Sequence, residues 1–92
     1  VLLVKPQFEA GRTGVGRGGI VRDPEVHARV LREVVDALAA ADLGVEGVVP
    51  SPIRGARGNA EFLVRARRGP ASVELDALDA AVAAIAAEAA HA

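Results

Sequence analysis

The stretch Val45–Arg67, VEGVVPSPIRGARGNAEFLVRAR, decides how this chain folds. Val45–Val49 is a short apolar run of strand type, and Pro50-Ser51-Pro52 ends it. Ile53–Asn59 is a polar, glycine-containing connection. Glu61–Arg67 is again a strand: Phe62 and Val64 alternate with Leu63 and Arg65, so one face is fully apolar and the other partly solvated. Only about ten residues join the two strands, without a helical pattern among them. A parallel return needs a crossover of about a dozen residues or more, usually helical. Glu61–Arg67 is therefore expected to run antiparallel.

Upstream, Val1–Val4 (VLLV) is a continuous apolar run, as in a strand buried on both faces. Glu9–Asp23 follows as a long loop holding Gly11, Gly14, Gly16, Gly18 and Gly19 together with Arg12, Arg17 and Arg22. Asp23-Pro24 opens a helix, Asp as N-cap and Pro at the first helical position, where an N–H would go unpaired anyway. Val26, Val30, Leu31, Val34, Leu38 and Ala41 give it one apolar face, and Gly44 is expected to end it. Downstream, Gly69-Pro70 breaks the third strand. Ser72 is placed to cap a last helix with Leu75, Leu78, Val82, Ile85 and Ala89 in a narrow stripe. The order is βαββ plus a C-terminal helix, an α/β fold. The first two strands are parallel through a right-handed crossover, and the last strand is antiparallel.

Composition narrows the function. With 92 residues there is room for one small domain. There is no cysteine, so disulfides and thiolate metal sites are excluded, and His27 and His91 are too few and too far apart for a metal site. A net charge of −1 gives no global field toward nucleic acid or membrane. No signal peptide or apolar span is present, and no basic amphipathic helix suggests membrane activity, so a cytoplasmic location is expected. The chain has no methionine and its first residue sits inside a strand, so it reads as part of a longer protein.

Ligands of open α/β sheets bind beyond the carboxyl ends of the parallel strands. Lys5 stands at that end of the first strand. If the third strand lies antiparallel beside the first, Glu61 at its start faces Lys5 across the same edge. Lys5 is the one lysine beside ten arginines. A lysine can give up its proton in a suitable environment, whereas an arginine cannot; a carboxylate beside it holds it in place and favours its charged form, so a working base needs further neighbours to set the balance. Arg12, Arg17 and Arg22 are placed to meet phosphates, with glycines allowing close approach. Gly14–Gly19 matches G-x-G-x-x-G, but the pattern neither follows a strand directly nor opens a helix, so it is not read as a dinucleotide fingerprint. Arg54, Arg57, Arg65, Arg67 and Arg68 are expected mostly as solvated surface, and His27 as a packing residue.

The motifs LVKPQFEAGR (3–12), GRGGIVRDP (16–24) with His27 close behind, and SPIRGARGNAEFL (51–63) resemble the C-terminal part of the TlyA family of FtsJ-like rRNA 2′-O-methyltransferases, also labelled haemolysins. The resemblance covers about Val1–Arg67. It implies the C-terminal part of a Rossmann-like methyltransferase fold over residues 1–68, with residues 69–92 as a helical extension. It implies S-adenosylmethionine as cofactor, its site mostly upstream, and ribosomal RNA or ribosomal subunits as partners. Lys5 would be the second lysine of a Lys-Asp-Lys-Glu tetrad, taking or relaying the proton of a cytidine 2′-hydroxyl. Glu61 would be its glutamate. Arg12, Arg17, Arg22 and Asn59 would contact the RNA. Ala56 stands where the family commonly has proline. Alone, this segment is expected to be inactive and prone to self-association through an exposed first strand. The competing reading is a non-catalytic RNA-binding or protein-interaction module.

Overall fold

The computed structural model describes residues 1–9, 11, 16, 19–70, 72–73 and 75–90. In chain order its elements are β1 (Leu2–Val4), α1 (Pro6–Glu9), α2 (Pro24–Ala40), β2 (Leu43–Pro50), a 3₁₀ turn at Ala56–Gly58, β3 (Phe62–Arg68) and α3 (Leu75–Ala90). Among the described residues the sheet runs β1-β3-β2, with β3 antiparallel to both neighbours. The strand made last is thus the central one, and β1 and β2, parallel to each other, flank it.

The pairing register explains the two faces. Leu3, Leu63 and Val49 share one row across the sheet; Leu2, Val64 and Val48 share the next. Phe62 and Val64 point into the core, where both are fully buried. Burial of a side chain such as Phe62 stabilises by roughly 2–3 kcal/mol. Val45 and Val48 are both buried although their spacing would send them to opposite faces of a regular strand. A bulge between Val45 and Gly47 absorbs the extra residue, Glu46, and lets both valines face inward. The other face stays open: Leu3 is 46% and Val49 56% exposed.

Helices α2 and α3 close the inner face. Val30 and Leu31 from α2, and Leu78, Ala81, Val82 and Ile85 from α3, complete the core. Asp23 caps α2 through its side chain, accepting from the Glu25 N–H at 2.9 Å, with Pro24 behind it. His27 is buried on this helix, its ring edge-on to Phe62 at 5.6 Å between centroids.

Three local expectations are corrected. Gly44 does not end α2. The helix stops at Ala40, Asp42 takes the left-handed turn at φ 62°, and Gly44 is already a strand residue opposite Arg67. Aspartate tolerates that conformation better than most side chains, so the chain needs no glycine there. Ser72 is not a helix cap; its N–H donates to the Val45 carbonyl at 2.9 Å, and α3 begins at Leu75. The first strand is not buried on both faces: Leu2 and Leu3 are exposed, and only Val4 reaches the core. Among the described residues this strand pairs with β3 alone, at the edge of the sheet as expected.

Candidate functional site

The register Val4↔Phe62 places the residue after β1 and the residue before β3 side by side. These are Lys5 and Glu61. The Lys5 carbonyl accepts from the Phe8 and Glu9 N–H groups, so the strand passes straight into α1 and the Lys5 side chain is set at a fixed corner. Its Nζ lies 3.8 Å from Glu61 Oε2. The two ends differ in burial: the Lys5 side chain is 43% exposed and that of Glu61 only 5%. A buried carboxylate is thus aimed at a cation that reaches solvent.

Three neighbours fix Glu61. Gln7, the second residue of α1, donates from Nε2 to the same Oε2 at 2.8 Å. Gly55 presses its backbone against the carboxylate. A Cβ at Gly55 would fall 1.9 Å from Oε2, so any side chain there collides with Glu61. Ser51 donates its N–H to the Glu61 carbonyl at 2.8 Å. One polar atom beside the pair is left over: Gln7 Oε1 is buried without a hydrogen-bond partner among the described residues. A buried acceptor in that state costs about 1–3 kcal/mol. Phe8 is 73% exposed, with Lys5 Nζ 5.8 Å from its ring centre.

The expected RNA contacts divide. Arg12 and Arg17 lie outside the described residues. Arg22 is exposed just ahead of α2. Asn59 is buried, and its polar groups are used within the chain. Its Oδ1 accepts from the Val21 N–H, and its Nδ2 donates to the Gly19 and Ala56 carbonyls, each at 2.9 Å. Its N–H donates to Ala56 and its carbonyl accepts from the Gly55 N–H. Asn59 therefore ties the loop before α2 to the loop before β3. Gln7 and Gly55 escaped the sequence reading; their one signal was adjacency to Lys5 and to the turn before Glu61.

An open cavity of about 390 Å³ lies at the 54–58 loop, lined by Arg22, His27, Arg54, Arg57, Ile85 and Glu88 among others. His27 is neutral over more of the pH range than an ordinary histidine. Burial pushes its pKa down and outweighs the hydrogen bond to the Val21 carbonyl and the nearby Asp23 charge, while Arg54 lowers it further.

Residues 1–68 match the family model described as FtsJ-like methyltransferase. The chain belongs to the FtsJ-like methyltransferase family. Over 62 residues it is 56% identical to YqxC of Bacillus subtilis, which carries a provisional rRNA methyltransferase name; the match covers 67% of this chain and 22% of that protein. Over 69 residues it is 46% identical to the 16S/23S rRNA (cytidine-2′-O)-methyltransferase TlyA of Mycobacterium tuberculosis, covering 73% of this chain and 25% of TlyA. A solved Streptococcus thermophilus structure, described as a hemolysin, superposes with a TM-score of 0.88 at 37% identity, over 97% of this chain and 33% of that one. The FtsJ-like chain thus spans about a quarter of the length of the curated relatives it matches.

Membership implies S-adenosylmethionine as cofactor. The 390 Å³ cavity, lined by Arg22, Arg54, Arg57 and Glu88 among others, presents guanidinium groups, which do not suit a sulfonium cation. Among the described residues no helix is long and apolar enough to cross a membrane, and no cluster of three acidic or histidine side chains is disposed to hold a metal.

Proposed function

We propose that this chain supplies the Lys–Glu half of the catalytic group of an rRNA (cytidine-2′-O)-methyltransferase, and that it serves the acceptor ribose. The observation that carries the reading is the contact of Lys5 with a buried Glu61 at the carboxyl end of β1. Family membership and the TlyA relative support the reaction class. Methylating a 2′-hydroxyl requires its proton to leave as the oxygen attacks. Lys5 takes or relays that proton, and Glu61 fixes where the Lys5 amine sits. Gln7 holds the Glu61 oxygen from the other side. Positioned proton transfer of this kind contributes about 10²–10⁴-fold in rate. Asn59 acts by holding the two loops together, and Arg22, with Arg12 and Arg17, supplies charge toward the RNA backbone. Residues 1–68 form the methyltransferase portion, and residues 69–92 extend it with α3.

The test is methyl transfer to ribosomal RNA by the protein that carries this chain, with the modified position mapped and folding checked. Lys5→Arg keeps the charge but cannot exchange a proton at neutral pH. Ribose methylation by the wild type and its loss in Lys5→Arg support the reading. Equal activity in both refutes the role of Lys5. No activity in either, with RNA binding retained, leaves the chain a binding module.

A further inference from the structure

The cavity beside α3 takes no part in the proton transfer above, and of its lining only Arg22 has been given a role. Arg54 and Arg57 come from the same short loop whose Gly55 packs on Glu61, and Arg22 enters from the loop before α2. One glycine lies close under a guanidinium group: a Cβ on Gly19 would stand 2.6 Å from an Arg57 nitrogen. Gly19 also has φ 74°, a conformation that side chains resist. Arg57 itself, a non-glycine residue, is held at φ 58°. Backbone held in this region costs about 1–3 kcal/mol and persists where the surroundings impose it. Here the imposed conformation carries a guanidinium to the cavity rim. Among the described residues the carboxylate of the lining is Glu88 of α3, and it is already joined to Arg54 by a hydrogen-bonded ion pair. His27 adds no charge, since burial favours its neutral form.

We propose that this cavity is a phosphate subsite that takes a backbone phosphodiester of the RNA. Guanidinium groups match phosphate oxygens in geometry as well as charge. The 54–58 loop serves both features: Gly55 packs against Glu61, and Arg54 and Arg57 line the cavity. A strand whose ribose meets Lys5 crosses that loop and sets down a neighbouring phosphate in the cavity. Glu88 occupies Arg54 until the phosphate displaces it. The proposal rests on the reading of RNA as the substrate.

The experiment is the affinity of the protein that carries this chain for a short single-stranded RNA, measured by fluorescence anisotropy over a salt series. Arg54→Ala combined with Arg57→Ala is expected to weaken binding about tenfold or more. It also lowers the salt slope by about 0.7 for each phosphate that is no longer neutralised. Glu88→Gln is expected to tighten binding about two- to tenfold, because it removes the opposing charge. A gain in affinity cannot arise from misfolding. Arg65→Ala with Arg67→Ala, on the far part of the sheet, should change little. Unchanged affinity and slope in the Arg54/Arg57 variant overturn the proposal, as does weaker binding in Glu88→Gln. A thermal shift with inorganic phosphate separates the sources. If the Arg54/Arg57 variant loses that shift but keeps its RNA affinity, the cavity takes free phosphate and the RNA assignment falls. Methylation by the wild type alongside unchanged RNA affinity in the variant refutes the subsite alone. Arginine-dependent RNA binding without methylation refutes the enzymatic reading alone.

Discussion

Toward each end of β3 a carboxylate meets a cationic partner, and the two pairings are built in opposite ways. Glu46 sits in the β2 bulge and meets Arg65 at 3.2 Å and Arg67 at 3.4 Å, but both arginines are about 70% exposed. Glu61 has Lys5 at the longer distance of 3.8 Å, yet it is buried and is also held by Gln7 and pressed by Gly55. The closer ion pairs are the less constrained. Exposed pairs are screened by water and worth little, whereas a buried carboxylate persists only when its surroundings satisfy it. Distance alone would rank the two ends wrongly; burial and supporting hydrogen bonds rank them as a solvated surface pair and a prepared site.

The sharpest test of this contrast is catalytic. Lys5→Arg should lower methyl transfer by about 10²–10⁴-fold, while Arg65→Lys should leave the rate unchanged. Equal losses at the two ends would erase the distinction. Next in size is Asn59→Ala, which strands the buried Val21 N–H and frees two carbonyls behind the site. Urea unfolding should show a loss of about 2 kcal/mol or more. Gly55→Ala should cost about 1–3 kcal/mol through overpacking against Glu61. It should also disturb methyl transfer more than an alanine at Gly47, where a Cβ meets nothing within 4 Å. A smaller effect depends on pH through His27. Its pKa is lowered in the folded protein by burial, so the unfolded chain takes up a proton first as the pH falls. Stability is then full above the ordinary histidine value and is lost as the pH drops from there through the lowered folded value. Melting temperatures at pH 7.5 and pH 5 should differ less in His27→Gln than in the wild type. Smallest of all, a double-mutant cycle on Glu46 and Arg65 should give a coupling below about 1 kcal/mol.

Much of this contrast is legible in the sequence, and the reason lies in topology. The short Pro50–Ala60 connection forces β3 to run antiparallel, and that alone brings Glu61 to the edge where Lys5 stands. The alternation of Phe62 and Val64 with Leu63 and Arg65 likewise gives the faces of the central strand. What stays hidden depends on contacts between distant segments. That Asn59 would tie two loops from within cannot be read from a polar residue beside a glycine. Nor does the spacing of Val45 and Val48 announce a bulge, since a regular strand would turn one of them outward. Gly44 misled because glycine so often ends helices, while Asp42 makes the left-handed turn two residues earlier. Arg54 and Arg57 read as surface and are exposed; nothing local says that they also line a cavity with α3.

The strand order has a consequence for synthesis. On the ribosome β1 and β2 emerge first, yet among the described residues neither pairs with the other; both pair with β3, whose last residue is Arg68. Until that segment is out, neither of the two earlier strands has its partner in the sheet. Contacts that span most of a chain are slow to form, and the β1–β3 pairing is of that kind. Lys5 and Glu61 meet in the same event that completes the sheet. A half-made chain therefore has no half-made site, and the charge pair arrives with the fold that buries it.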